Sequence, residues 1–117
     1  MRDLPATTKL LKSDLSQLPL YQGLEGLLHA TLELLSQPGN VFSWSSWANA
    51  TEARAEVGAL LAAVQSGNLP PLPAVAILFA PTGPLQEVSV SSGWAEIFSA
   101  VASKFDALTL KNWQLER

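Results

Sequence analysis

The segment VAILFAPTGPLQEVSVSSGW, residues 75–94, decides the fold that the sequence predicts. Its first six residues, 75–80, are all apolar, which is typical of a strand buried on both faces. The sequence PTGP at 81–84 predicts a tight turn, and residues 85–90 alternate between polar and apolar as in a half-exposed strand. We therefore predict a β-hairpin here, followed by a helix that begins near the serines of SSGW.

The chain before this hairpin has the pattern of three helices, at residues 4–17, 20–37 and 46–66. Pro5 suits the first turn of the first helix, and leucines recur at intervals of three and four residues in the second. Gly23 and Gly26 in the second helix either weaken it or let another element approach closely. The third helix begins at Ser46 or at Asn49, and Asn49 and Glu52 have the spacing of a capping box. The third helix also carries a face of small residues only, which indicates close packing between elements or subunits: Ala55, Gly58, Ala59 and Ala62.

The chain after the hairpin contains the clearest amphipathic helix, at residues 93–107. Its apolar stripe is predicted to pack on the sheet through Trp94, Phe98, Val101 and Phe105. Residues 108–115 begin as an alternation and predict a third strand. The predicted fold class is therefore α+β: about three N-terminal helices, then a small antiparallel hairpin with one amphipathic helix packed on it, in a single domain spanning 1–117.

Composition limits the class of partner. The net charge is −3 and the seven Lys and Arg residues are scattered, so we expect neither nucleic acid nor an anionic membrane surface as a partner. The chain has no cysteine, which excludes disulfides, thiol nucleophiles and cysteine-based zinc sites. No stretch approaches the roughly 20 apolar residues of a membrane span, and a cytoplasmic location is expected.

The sequence shows no catalytic signature. His29 is the one histidine, and Glu25 and Glu33 lie one helical turn on either side of it. This triplet is either a metal or acid–base site or a solvated polar face opposite the leucines, and we favour the solvated face. The phosphate-binding and nucleophile-elbow glycine motifs do not occur. We expect no enzymatic activity, no cofactor and no metal.

The candidate binding residues lie in the connector before the third helix. Phe42, Trp44 and Trp47 are close together in a serine-rich segment, and tryptophan is enriched both in interface hot spots and in cores. The two alternatives are a partner or ligand surface and a plug closing one end of the core, of which we favour the plug. If the hairpin turn lies beside this connector, Thr82 and Gly83 belong to the same candidate site.

Three functions are compatible with this pattern. The first is a small cytoplasmic protein-binding or regulatory protein, such as an acidic immunity or antagonist protein that captures a cationic partner. The second is a homo-oligomeric structural protein, for example a homodimer formed through the small-residue helix face or the edge strand at 85–90. The third is a small-ligand-binding protein or enzyme with a pocket between Trp44, Trp47 and the hairpin turn, in which His29 would be the acid–base group.

Overall fold

The computed structural model describes residues 3–109, and every regular element in this part of the chain is a helix. The α-helices are α1 (Pro5–Lys12), α2 (Leu20–Leu35), α3 (Ala50–Gln65), α4 (Leu72–Phe79), α5 (Pro84–Ser92) and α6 (Ala95–Leu108). A short 3₁₀ turn, Leu15–Gln17, lies between α1 and α2. The described residues thus form an all-α fold, and the predicted α+β class is wrong.

The predicted β-hairpin is a pair of short helices, α4 and α5. In α4 the buried residues are Val75, Leu78 and Phe79, which is the spacing of one helix face, and Ile77 is 57 % exposed. A strand buried on both faces would have hidden Ile77 as well. The prediction failed because a short apolar run cannot be distinguished from a segment of buried helix by periodicity alone.

The second predicted strand fails for a related reason. In α5 the buried residues are Leu85 and Val88, three apart, with Ser89, whereas Val90 is 57 % exposed. Alternation would have placed Val88 and Val90 on the same face. Pro84 lies in the first turn of α5, where a helix needs no N–H from that residue.

The predicted serine cap of the last helix is also wrong. The serines at 91 and 92 belong to the last turn of α5, which ends at Gly93 in the left-handed conformation (φ 88°). The N–H of Trp94 then bonds the carbonyl oxygen of Ser89 at 2.9 Å, which closes the end of α5. Trp94 is the N-cap of α6 and makes no side-chain capping bond.

Gly83 allows α5 to begin directly behind the last turn of α4. Its N–H donates to the carbonyl oxygen of Ala80 at 2.9 Å. A Cβ atom at this position would collide with the backbone carbonyl oxygen of Ile77. The turn is therefore where the sequence predicts it, but it joins two helices and requires glycine for close packing.

Helix α2 lies at the centre of the core and packs against α1, α3 and α6. Its predicted leucine stripe is confirmed, since all of its members are buried: Leu20, Leu24, Leu27, Leu28, Thr31, Leu34 and Leu35. The close approach at Gly23 is also confirmed. A Cβ there would lie 2.8 Å from Cδ1 of Leu108, so α6 crosses α2 at this glycine.

The apolar stripe of α6 is confirmed, although it does not pack on a sheet. Phe98, Val101 and Phe105 are buried, and α6 packs against α1, α2 and α5. Phe105 stacks on Phe79 of α4, with ring centroids 4.8 Å apart and an interplanar angle of 21°. Leu108, predicted to start a third strand, is the last residue of α6, and residues 110–115 of that strand lie outside the described residues.

The capping box of α3 is confirmed with a shift of one residue. Asn49 Oδ1 accepts from the N–H of Glu52 at 2.9 Å, and Glu52 Oε1 accepts from the N–H of Ala48 at 3.0 Å. The small-residue face of α3 is not packed between elements, because its alanines are exposed: Ala55, Ala59 and Ala62. Its role between subunits remains a prediction.

Replacing Gly83 by alanine should destabilise the fold by about 1–3 kcal/mol, because the new methyl group meets backbone that cannot rotate away. Urea unfolding followed by circular dichroism measures this loss. Gly58→Ala is the matched control: nothing lies within 4 Å of a Cβ at that position in α3, so it should stabilise the fold by about 0.4–1 kcal/mol. Equal stability of Gly83→Ala and wild type would contradict this packing.

Candidate functional site

The connector at residues 42–47 is a hydrogen-bonded turn. The N–H of Ser45 donates to the carbonyl oxygen of Phe42 at 3.0 Å. The Ser45 hydroxyl donates to the same oxygen at 2.9 Å and accepts from the N–H of Trp47 at 3.2 Å. Phe42 packs partly buried against the core. Hydrogen bonds therefore fix the backbone before and after Trp44.

The two tryptophans of this connector have opposite environments. Trp47 is 3 % exposed, and its indole Nε1 donates to Glu56 Oε1 of α3 at 3.2 Å. It is the plug of the core that the sequence suggested. Trp44 is 75 % exposed, more than any other large apolar side chain in residues 3–109. The plug alternative therefore describes Trp47, whereas a partner or ligand surface at Trp44 stays a prediction.

The turn at residues 81–84 has a structural explanation. Gly83 is buried against the backbone of Ile77 and leaves no room for a side chain, and Thr82 is exposed. Among the described residues no hydrogen bond joins this turn to the connector that carries Trp44. The ligand pocket predicted between Trp44, Trp47 and the turn remains a prediction, and the two cavities described next lie elsewhere.

A cavity of about 470 Å³ lies between α1 and α2. Leu10 of α1 and Leu15 of the 3₁₀ turn, both buried, form its floor. Polar side chains surround its mouth, among them Lys9, Glu25 and His29. Sequence reasoning missed this cavity because its two walls come from separate helices.

A smaller cavity of about 360 Å³ lies where the end of α2 meets the junction of α5 and α6. Trp94 Nε1 donates to Asn40 Oδ1 at 2.9 Å, and Asn40 Nδ2 donates to the carbonyl oxygen of Leu34 at 2.9 Å. The N–H of Val41 donates to Ser92 Oγ at 2.8 Å. These polar groups form hydrogen bonds with one another, so this region connects the end of α2 to the α5–α6 junction.

The Glu25, His29 and Glu33 triplet does not form one site. His29 Nε2 lies 3.7 Å from Glu25 Oε2, and both side chains are nearly half exposed, as expected of a solvated face. Glu33 is different, because its Oε2 and Oε1 accept from the N–H groups of Ala6 and Thr7 at 2.9 and 2.8 Å. Glu33 of α2 therefore caps the N-terminus of α1, a tertiary role that sequence reasoning missed.

The capping role of Glu33 changes its acidity. Burial raises the pKa of the carboxyl group, but hydrogen bonds, chiefly those from the backbone N–H groups of Thr7 and Ala6, together lower it by more, so the pKa lies below the ordinary value of 4.5. Helix α1 has no capping side chain of its own, since its N-cap residue is Leu4. The one sign in the sequence that another element caps α1 is the lack of a capping residue at its start.

Within residues 3–109, no three His, Asp or Glu side chains are grouped as a metal site would require. None of the helices α1–α6 is long and apolar enough to cross a bilayer. Comparisons with protein-family models, curated proteins and solved structures found no match to this chain.

Replacing Glu33 by glutamine should lower the free energy of unfolding at pH 7 by about 1 kcal/mol, the usual value of a helix cap. The pKa of Glu33 is lower in the folded state than in the unfolded state. Its carboxylate therefore stabilises the fold at pH values above the unfolded pKa of 4.5, and this stabilisation disappears as the pH falls through the folded pKa. Urea unfolding should therefore show a smaller difference between Glu33→Gln and wild type at pH 3 than at pH 7. The exposed Asp106→Asn variant is the control without loss at either pH; a deficit of Glu33→Gln that is as large at pH 3 as at pH 7 would refute the charged cap.

Because Trp47 is buried and Trp44 is exposed, we expect their replacement by alanine to lower the free energy of unfolding by different amounts. Trp47→Ala should destabilise the fold by about 3–5 kcal/mol, as expected of a buried aromatic residue. Trp44→Ala should change the free energy of unfolding by at most about 0.5 kcal/mol, because the side chain is exposed. Chemical denaturation of both variants measures the contrast, and a comparable cost for the two would be inconsistent with the geometry of the connector.

Proposed function

We propose that the protein acts by binding another protein through Trp44, as a small regulatory or antagonist protein. The observation that supports this most strongly is the 75 % exposure of Trp44 on a turn fixed by hydrogen bonds. An exposed indole leaves a large apolar area in contact with water, and burial under a partner would recover roughly 25 cal/mol per Å². Tryptophan is also among the residues most enriched in interface hot spots.

The environment of Trp44 supports tight binding. Ser45 holds the turn through its hydroxyl, and the buried Trp47 anchors the end of the connector on α3. A side chain presented on ordered backbone loses less conformational entropy when a partner binds. The connector is thus preorganised for binding, and Trp44 is the side chain that would contact the partner.

The charge near the connector favours a cationic partner. Glu56 Oε1 accepts from the indole of Trp47 in the connector, and Glu52 Oε1 accepts from the N–H of Ala48, the residue that follows it. No hydrogen bond or ion pair within residues 3–109 engages the Oε2 atom of either carboxylate. With a net charge of −3, the protein would attract a basic surface, and an arginine or lysine could also lie over the Trp44 ring. We infer a basic toxin or enzyme as the partner class and, because the chain lacks cysteine, the cytoplasm as the location.

Affinity capture from native cells with wild type, Trp44→Ala and Tyr21→Ala tests this function. Tyr21 is 40 % exposed and lies at the opposite end of the α2–α3 pair, where its hydroxyl donates to the carbonyl oxygen of Gly67. A stoichiometric partner should be retained by wild type and Tyr21→Ala. Trp44→Ala should weaken binding by at least about 2 kcal/mol, or roughly thirtyfold in Kd, as a hot spot would.

Two further measurements complete the test. Glu52→Gln with Glu56→Gln keeps both acceptor oxygens but removes the charges, so it should reduce the association rate and its dependence on salt. Light scattering of the free protein distinguishes self-association through the exposed face of α3 from capture of another protein. A partner bound equally by Trp44→Ala and wild type, or a dimer that accounts for all binding, would rule out the proposal.

A further inference from the structure

A second surface, independent of Trp44, has the geometry of a small-molecule site. The cavity between α1 and α2 has a volume of about 470 Å³, within the range of about 300–1,000 Å³ typical of ligand pockets. One face of α1 and one face of α2 form its walls, and Leu15 and Leu18 from the segment between these helices also line it. It combines an apolar interior with a small number of polar groups at the mouth, as ligand sites commonly do.

Gly26 of α2 lines the cavity and places no side chain in it. A Cβ built on Gly26 would lie in ordinary contact with Cδ1 of Leu10, at 3.9 Å, so position 26 has room for a side chain next to this leucine. Leu10 and Leu15 are 3 % and 1 % exposed, and they provide a firm apolar floor. This floor suits the hydrocarbon part of a ligand.

The charge of the mouth favours an anionic head group. Lys9 lines the cavity, and no ion pair in residues 3–109 engages its ammonium group. Lys12 is in the same last turn of α1, and Lys104 Nζ donates to the carbonyl oxygen of Ser13, which also lines the cavity. Three of the four lysine and arginine residues in the described part of the chain thus lie at the C-terminal end of α1 or bond to the residue that follows it.

Within residues 3–109, Glu25 is the one carboxylate that lines the cavity, and it is already engaged. Glu25 Oε2 accepts from Gln65 Nε2 at 3.2 Å and lies 3.7 Å from His29 Nε2. A cationic ligand would have to compete for this oxygen and approach the ammonium group of Lys9 as well. We propose that the α1–α2 cavity binds a small amphipathic monocarboxylate, with its hydrocarbon tail over Leu10 and Leu15 and its carboxylate at Lys9.

Octanoate, 1-octanol and octyltrimethylammonium, which differ mainly in head group, are the probes. Titration of the full chain, followed by amide chemical shifts in NMR, should give a Kd for octanoate below about 1 mM, with the largest shifts at Leu10 and Gly26. Octyltrimethylammonium should bind at least about tenfold more weakly, the effect of one charge-assisted hydrogen bond. Octanol, which has the tail without the charge, should fall between the two.

Two variants test the two halves of the site. Gly26→Leu fills the space over Leu10 and should abolish octanoate binding, and it replaces a glycine in a helix interior by a better helix former. Lys9→Gln should weaken octanoate about tenfold and leave octanol unchanged. Arg54→Gln on α3 is the matched control that should bind octanoate like wild type.

The proposal is overturned if octanoate does not bind at about 1 mM, if it binds no better than octyltrimethylammonium, or if its shifts lie away from α1 and α2. It is also overturned if Lys9→Gln and Gly26→Leu both bind octanoate like wild type. Should Gly26→Leu fail to fold, Lys9→Gln against Arg54→Gln decides the result. None of these outcomes depends on Trp44, so the site and the proposed protein-binding function succeed or fail separately.

Discussion

The burial of α2 on several sides is the constraint on which the rest of the structure depends. Leu24, Leu27 and Leu28 are fully buried, and such a helix must be covered by more than one neighbour. Helices α1, α3 and α6 provide that cover. The eight-residue α1 is too short to be stable alone, and it obtains both its packing surface and its N-terminal cap from α2, through Glu33. Helix α2 thus orders its neighbours as well as burying them.

The parts of the fold that could be predicted are those whose signal is local and repeated. The leucine spacing of α2, the stripe of α6 and the capping box at Asn49 each combine several residues that indicate the same structure. Residues 75–92 could not be predicted in this way, because each half is too short for helical and strand periods to separate. The burial of Leu85 and Val88 with Pro84 in the first turn fits a helix, but the same proline fits a turn before a strand.

The candidate site shows a different limit of sequence reasoning. Trp44 and Trp47 are three residues apart in the same serine-rich segment, and composition could not assign them different roles. What separates them is tertiary packing: the Trp47 ring belongs to the hydrophobic core and its indole bonds Glu56, whereas the Trp44 ring is exposed. The cap from Glu33 and the cavity at Gly26 are equally tertiary. In all three cases the side chains that determine the result come from different elements.

The two candidate surfaces are connected by one rigid element, and this arrangement argues against strong coupling between them. The cavity lies along the N-terminal half of α2, whereas the connector that carries Trp44 follows its C-terminal end. Coupling requires an element with two arrangements that both sites bias, and the closely packed α2 offers none. A ligand in the cavity would stabilise α1 on α2 by mass action. Because the turn at Ser45 and the anchor at Trp47 do not contact the cavity, that ligand should leave the presentation of Trp44 unchanged.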